Sequence, residues 1–336
     1  VDARLSDAEF FWNKDKTQNL VKKVSELKSM NFFKGLGSYF DKVQRMRKIG
    51  GMISDELLIS KEKVELLASI CKTDLTSDLV GEFPELQGLM GGYFSEYQGF
   101  DKDISLAISE QYLPIGLNSI VPKKPFSVTL SITDKIDTLV GFFGINEKPT
   151  SSKDPLALRR IALGIIRTTI ENRKSLKIND LLNYSSRLYD DQGYNLKNKD
   201  LQKELQDFLK DRFRYYLKDK EIRYDIIEAT LSSFSLNNLF SSFEKAKCLN
   251  KVINTQIGID INSSYKRASN ILDHEMKNNE IEINDTTDPG IFKSDFEKNL
   301  YKKINDIKKY YSTINSDEDY EKSLSILAET KKEVFE

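Results

Sequence analysis

The stretch from Thr133 to Arg167, TDKIDTLVGFFGINEKPTSSKDPLALRRIALGIIR, restricts the fold of this chain more than any other. It reads as an acidic helix end, a loop broken by glycine and proline, and a strongly signalled helix start. Asp154 is placed to cap that helix by accepting an orphan backbone N–H, and Pro155 to take the first helical position, where a missing N–H costs nothing. Leu158, Ile161 and Ile165, with Leu156, Leu163, Ile166 and Ile170, cover most of the helix circumference, which predicts burial on most sides. Arg160, Gly164 and Arg167 form the one narrow stripe of other character. A mid-helix glycine costs about 1 kcal/mol against alanine, so Gly164 predicts close approach by another backbone.

The flanking sequence is helical in period. Residues 3–14 are apolar and polar mixed, with Phe10, Phe11 and Trp12 as core candidates. Helical patterns follow over Val21–Phe33, Tyr39–Ile53 and Lys61–Cys71, punctuated by Gly35, Gly37, Gly50 and Gly51. Between Gly81 and Pro155 lie six of the seven prolines and half of the sixteen glycines, which predicts loops and short helices pinned to a scaffold. After Leu156 the spacing predicts helices over about 156–173, 178–189, 199–217, 223–231, 237–254, 261–278, 291–314 and 317–335. Val128–Ile132 alone has strand composition, and its surroundings make it a helix start. No period-two alternation recurs, so a sheet is not expected and the fold class is all-α. Linkers are expected at Asp190–Lys199 and at the Asn/Asp-rich Lys277–Pro289.

Charge excludes one simple reading. With 51 basic and 52 acidic residues, nucleic-acid binding must rest on a local patch rather than a global pull. Cys71 and Cys248 have no pairing pattern, which fits a reducing, cytoplasmic setting. No apolar run reaches the ~20 residues of a membrane span, so no membrane partner is expected. The start at Val1, directly in a helical pattern, reads as part of something longer.

Five segments carry a resemblance: ARLSDAEFFW at Ala3–Trp12, LGSYFDKVQRM at Leu36–Met46, EFPELQGLMGGYF at Glu82–Phe94, DKIDTLVGFFGI at Asp134–Ile145 and DPLALRRIALGIIR at Asp154–Arg167. In content and order the chain resembles the β subunit of the bacterial tetrameric glycyl-tRNA synthetase, with YKRASNIL at Tyr265–Leu272 as the best later match. The resemblance implies a piece lacking an N-terminal part and the extreme C-terminus. It also implies a role in charging the glycine tRNA. In that family the α subunit uses ATP and Mg to activate glycine, while the β subunit holds tRNA and supports the α dimer in an α2β2 heterotetramer. No cofactor is then expected on this chain.

Four constellations could carry chemistry. The helix order over residues 36–140 resembles the His-Asp (HD) type of metal-dependent phosphohydrolase. Asp134 looks like that family's late aspartate, and Cys71-Lys72 falls within about one residue of its His-Asp pair. The whole chain has one histidine, His274, so a site needing several imidazoles cannot be built, and a degenerate, metal-free domain is expected. Lys72 could place an ammonium beside Asp134 in place of the metal charge. The alternative is an all-carboxylate magnesium site from Asp74, Asp78, Asp134 and Asp137. Second, Glu82 and Glu85 in EFPELQG suit acid–base work, but without nucleophile or histidine a tightly turned loop competes with a subunit or tRNA contact. The nearby Gly88–Gly92 run lacks the GK[ST] ending of a phosphate loop.

Third, Arg159, Arg160 and Arg167, near Lys153, suit phosphate recognition, or internal pairing with Asp134 and Asp137. Fourth, the helix Ile261–Lys277 places Ile261, Tyr265, Ala268, Leu272 and Met276 on one apolar face. Lys266, Arg267, Asn270, His274 and Lys277 fall on the other. The polar face is either solvated or a tRNA surface, with cations on phosphates and Asn270 on a base or ribose. It lies where the resemblance implies an anticodon-binding domain, C-terminally incomplete. The expected organisation is a degenerate HD-like domain over 1–175, a helical connector over 176–235 and the anticodon-binding bundle over 236–336. A working metal-dependent phosphohydrolase and a helical scaffold without RNA are the competing readings.

Overall fold

The computed structural model describes residues 2–150, 153–279, 287–311 and 317–335, and these are overwhelmingly helical. They form two compact units. The first takes residues up to 216 together with 234–240, and the second takes 217–233 and 241 onward. Among the described residues no helix is long and apolar enough to cross a membrane.

The first unit opens with α1 (Asp2–Asp15) and the short α2 (Leu20–Lys23). A two-stranded antiparallel hairpin follows, β1 (Asn31–Phe33) and β2 (Gly37–Ser38), where helix was expected to run to Phe33. Gly35 and Gly37 turn it, with φ of +89° and +83°, and Phe33 packs edge-on to Phe142 at 4.9 Å. That aromatic contact and the glycines override the helical spacing of the preceding residues.

Next come α3 (Tyr39–Leu57), α4 (Lys61–Ile70), α5 (Asp78–Glu82), α6 (Leu89–Tyr97), α7 (Lys102–Glu110) and α8 (Pro125–Gly144). Their starts are written in short polar side chains. Ser38 and Asp41 form a reciprocal capping box on α3, and Ser60, Ser77 and Asp101 each accept an N–H of the helix they open. The centre of the unit is α8, every residue of which from Ser127 to Gly144 is buried. It packs against α3, α7, α9 (Leu158–Glu171) and α10 (Ile178–Asp191). Ile132, Ile136, Leu139 and Val140 are fully buried there, each worth about 1.5–3 kcal/mol against exposure. Gly141 of α8 has no room for a side chain, because a Cβ would lie 2.3 Å from Tyr189 Oη.

The start of α9 differs from its sequence signal. Pro155 lies before the helix, which begins at Leu158 with Ala157 in the left-handed region at φ +55°. Asp154 still caps it from outside, its two carboxylate oxygens accepting the N–H groups of Leu158 (2.8 Å) and Arg159 (3.0 Å). Gly164 admits a side chain rather than a backbone: a Cβ there would meet Lys135 Cε at 2.8 Å. Residues 190–199 are a packed loop, not a loose linker. Tyr194 Oη donates to Asp41 at 2.7 Å, and Asn198 Nδ2 donates to the Phe143 carbonyl at 3.1 Å. Most of α11 (Leu201–Asp219) completes the unit.

The second unit contains α12 (Tyr224–Ser232), most of α13 (Leu239–Val252), α14 (Gln256–Asn279), α15 (Asp295–Tyr311), α16 (Asp317–Ala328) and α17 (Lys331–Phe335). Here α16 and α17 pack on both α14 and α15. Polar contacts are prominent, such as Lys251–Glu321 at 2.7 Å and Lys303–Glu333 at 2.9 Å. Most of the linker expected after Lys277, residues 280–286, lies outside the described residues.

Candidate functional site

The buried helix α8 carries Asp134, Lys135, Asp137 and Thr138 within one and a half turns, so core packing presses charged groups together. Two cations reach them from α3. Lys42 Nζ lies 3.1 Å from Asp134 Oδ1 and 3.1 Å from Asp137 Oδ2, and donates to Thr138 Oγ1 at 2.8 Å. Arg45 donates through Nε to Asp137 Oδ1 at 2.6 Å and through Nη2 to Asp137 Oδ2 at 3.1 Å. Tyr189 of α10 closes this inner group, accepting from Arg45 Nη2 at 3.0 Å and donating to the Asp137 carbonyl at 3.1 Å. Lys72, just after α4, lies 3.2 Å from Asp134 Oδ1 and donates to Tyr112 Oη at 3.1 Å. The ammonium anticipated beside Asp134 is therefore present, and a second one from Lys42 joins it.

The electrostatics follow from burial and pairing. Burial opposes the Asp134 carboxylate, but Lys42 and Lys72 outweigh it and hold the group well below the usual carboxylate range. Asp137 is held low in the same way, burial being outweighed by Arg45 and Lys42. Lys72 stays charged far above its ordinary range: burial disfavours the ammonium, and Asp134 and Tyr112 more than compensate. Lys135 is the exception. Its Nζ donates to neutral oxygens, the Leu113 carbonyl at 2.7 Å and Ser131 Oγ at 2.8 Å, and burial pulls its pKa down to about 7 against a weaker pull from Asp134.

Above this floor lies a cavity of about 220 Å³ lined by Lys42, Lys72, Asp134, Lys135 and Gln87 among others. A second, of about 350 Å³, shares Gln87, Tyr112, Lys135 and Ile161 with it and extends to Glu85 and Arg160. Together they form one cleft. Tyr39 and Lys42, Glu85 and Gln87, Asp134 to Thr138, and Ala157 to Ile161 come from four of the five distinctive sequence segments, and all four meet here. The EFPELQG loop is thus a wall of the cleft, with Asp74 holding its end by accepting the Gly88 N–H at 2.5 Å.

The other predicted residues fall as follows. Cys71 is fully buried, donates to the Ala68 carbonyl, and has its thiol pushed up to about 12 by burial, so it is neither a thiolate ligand nor a nucleophile. The four carboxylates of the magnesium alternative do not converge. Asp74 serves the Gly88 turn, Asp78 pairs with Lys14 at the surface, and Asp134 and Asp137 are held by lysine and arginine. Among the described residues no group of three or more His, Cys, Asp or Glu could hold a metal.

The arginines of α9 do not pair with Asp134 or Asp137, whose partners are Lys42, Arg45 and Lys72. Arg167 instead clamps a loop, donating to the carbonyls of Gly116 (2.7 Å) and Ser119 (2.9 Å) and pairing with Glu171 at 2.8 Å. Arg159 donates to the Thr150 carbonyl, and Arg160 is exposed.

In the second unit the expected inner face of α14 is solvent-facing, with Tyr265 70 %, Leu272 46 % and Met276 44 % exposed. The helix docks through polar groups instead. Ser264 is buried, Asp260 pairs with Lys331 at 2.7 Å, and Arg267 donates to the terminal carbonyls of α17, Val334 (2.9 Å) and Phe335 (3.2 Å). Unsatisfied carbonyls at a helix end attract a guanidinium more strongly than water does, which turns Arg267 inward. Lys266, Asn270 and Lys277 are exposed.

Sequence reasoning missed Lys42, Arg45, Tyr112, Lys135 and Tyr189. A signal existed for two of them. Lys42 and Arg45 sit beside Val43, Met46 and Ile49 at helical core spacing, where a cation needs a buried partner.

Comparison with known proteins bears on the same residues. The family model described as glycyl-tRNA synthetase beta subunit matches residues 1–232. A glycine–tRNA ligase beta subunit of Rickettsia canadensis (strain McKiel) is 38 % identical over 328 residues, covering 97 % of this chain and 46 % of the relative. The corresponding protein of Phenylobacterium zucineum (strain HLK1) is 38 % identical over 280 residues, 82 % of this chain and 39 % of the relative. That of Cereibacter sphaeroides (strain ATCC 17029 / ATH 2.4.9) is 33 % identical over 336 residues, 98 % of this chain and 48 % of the relative. The chain spans about half the length of the curated relatives it matches.

Proposed function

The chain belongs to the glycyl-tRNA synthetase β-subunit family, and from that premise we propose that it is the tRNA-holding, non-catalytic side of a cytoplasmic glycine–tRNA ligase. Glycine activation with ATP and Mg then belongs to an α subunit, which pairs with this subunit in an α2β2 assembly. In this reading the helices around α8 are an HD-type shell emptied of its chemistry, and residues from about 236 begin an anticodon-binding bundle.

The observation that carries the reading is the floor of the cleft. Where a hydrolase of that type needs metal ligands, Lys42 and Lys72 hold Asp134 with two ammonium groups at 3.1 and 3.2 Å. Two fixed cations satisfy the carboxylate without offering a Lewis acid or an activated water. The cleft keeps its shape and loses its catalysis, which favours binding over the phosphohydrolase alternative. Contact with tRNA falls to exposed cations, Lys266 and Lys277 with Asn270 on α14 and Arg160 on α9.

The test combines this chain, a purified α subunit and glycine tRNA. Glycine-dependent ATP–pyrophosphate exchange is expected only when the α subunit is present, and tRNA retention by this chain without it. Exchange catalysed by this chain alone refutes the division of labour. Absence of tRNA binding refutes the tRNA role and leaves the scaffold reading.

A further inference from the structure

Beside the cleft, within the first unit, a separate groove of about 330 Å³ runs between α9 and α11. Every charged side chain lining it is an arginine: Arg159, Arg160 and Arg167 from α9, and Arg212 from α11. Among the described residues no carboxylate lines it. The rest of its wall is apolar, with Leu163, Pro114 and the ring of Tyr215, which is 44 % exposed.

The four arginines are not equivalent. Arg167 is buried and spent on Gly116, Ser119 and Glu171, so it builds the wall. Arg159 is tied to Thr150. Arg160 is exposed, and its guanidinium has no hydrogen-bond or ion-pair partner among the described residues. Arg212 lies against two rings, its guanidinium 5.9 Å from the Phe208 centroid and 6.0 Å from that of Tyr215, and its buried Nε has no hydrogen-bond partner. A buried guanidinium nitrogen without an acceptor is costly unless a ligand supplies one.

We propose that this groove binds one unpaired nucleotide of an RNA strand, with its phosphate on Arg160 and Arg212 and its base laid on Tyr215. Guanidinium forks match phosphate oxygens in pairs, and an exposed aromatic ring beside them is the usual platform for an unstacked base. Lipid is disfavoured because the groove is walled on two sides. A fully stacked duplex offers no free base face to Tyr215. The inference rests on the tRNA-holding reading above and adds a place, two residues and a ligand form to it.

The experiment is fluorescence anisotropy of the whole chain with a labelled oligouridylate, the same RNA as a duplex, AMP and polyglutamate. The proteins are wild type, Arg160→Ala/Arg212→Ala, Tyr215→Ala and Tyr215→Phe, each checked for an unchanged melting temperature. Single-stranded RNA is expected to bind more tightly than duplex. The double arginine variant should flatten the plot of log affinity against log salt by about 1.4, from about 0.7 per lost phosphate contact on single strands. Tyr215→Ala should weaken binding about fivefold or more with the salt slope intact, and Tyr215→Phe should restore it. Equal binding by all four proteins overturns the proposal, as does preference for duplex, or polyglutamate or AMP binding in place of RNA. If the wild type retains tRNA and the groove variants retain it equally, the groove is wrong and the tRNA-holding role stands.

Discussion

Replacing Asp137 with asparagine keeps the shape of the side chain and removes its charge, at the most heavily bonded carboxylate in the first unit. Asp137 is fully buried. Its two oxygens accept from Arg45 Nε at 2.6 Å, Arg45 Nη2 at 3.1 Å and Lys42 Nζ at 3.1 Å. After the substitution Arg45 and Lys42, both buried, share Asp134, and only Lys42 reaches it. Leaving a buried charge without its partner costs about 3–5 kcal/mol. For a unit of roughly 150–250 residues, at 2–4 °C per kcal/mol, that is about 6–20 °C in melting temperature.

The assay is urea unfolding followed by tryptophan fluorescence. The single tryptophan, Trp12, stacks on Phe94 at 5.5 Å and so reports on the first unit. Arg45→Met should cost a similar amount, because it strips Asp137 of two bonds and leaves Gln192 and Tyr189 short of a donor. Together the two substitutions should cost distinctly less than their sum, since the double variant has one fewer stranded charge than either single variant implies. Additive losses, or a loss under about 1 kcal/mol for Asp137→Asn alone, would show that the pair is not an interacting unit and that the electrostatic account of the core is wrong.

Asp134 and Asp137 both ionise more readily folded than unfolded, so the unfolded state binds protons first as pH falls. Their stabilisation is full above the ordinary carboxylate range near 4 and is lost below it, and the acid limb of the stability curve should be shallower in Asp137→Asn than in wild type. Lys135 works in the other direction. With a folded value of about 7 against an ordinary 10.5, the unfolded state carries the extra proton between those limits. Stability therefore gains up to about 1.4 kcal/mol per pH unit as pH rises through that window, and Lys135→Met should abolish this component; an unchanged alkaline slope in the variant rejects it. Gly141→Ala should destabilise by about 1–3 kcal/mol despite better helix propensity, because the new methyl collides with Tyr189, and denaturant midpoints will show it. Lys266→Ala should flatten the salt dependence of tRNA binding by about 0.7–0.9, and an unchanged slope returns that residue to a merely solvated face.

Much of the architecture was legible because helices after Leu156 repeat their apolar residues at 3.6 and the caps are spelled out in serine and aspartate. The hairpin at Asn31–Ser38 was not, because two glycines and a cross-chain aromatic contact decide it rather than local period. At the site, Asp134 and Lys72 could be placed from the sequence through the missing histidines. Lys42, Arg45 and Tyr189 could not, since their roles depend on three helices converging on α8. The apolar stripe of α14 misled for a related reason. Its amphipathic spacing is real, but Asp260, Ser264 and Arg267 find stronger partners on α16 and α17 than Tyr265 and Leu272 find anywhere among the described residues.

Arg160 belongs to two cavities at once, the cleft over Asp134 and the arginine groove beside Tyr215. A long side chain with one charge cannot serve both at full strength. A ligand that draws the guanidinium to one side withdraws it from the other, so occupants that never touch would compete through a shared cation. By thermodynamic reciprocity each would weaken the other by the same factor. A single exposed residue thereby gives two neighbouring compartments a common ledger.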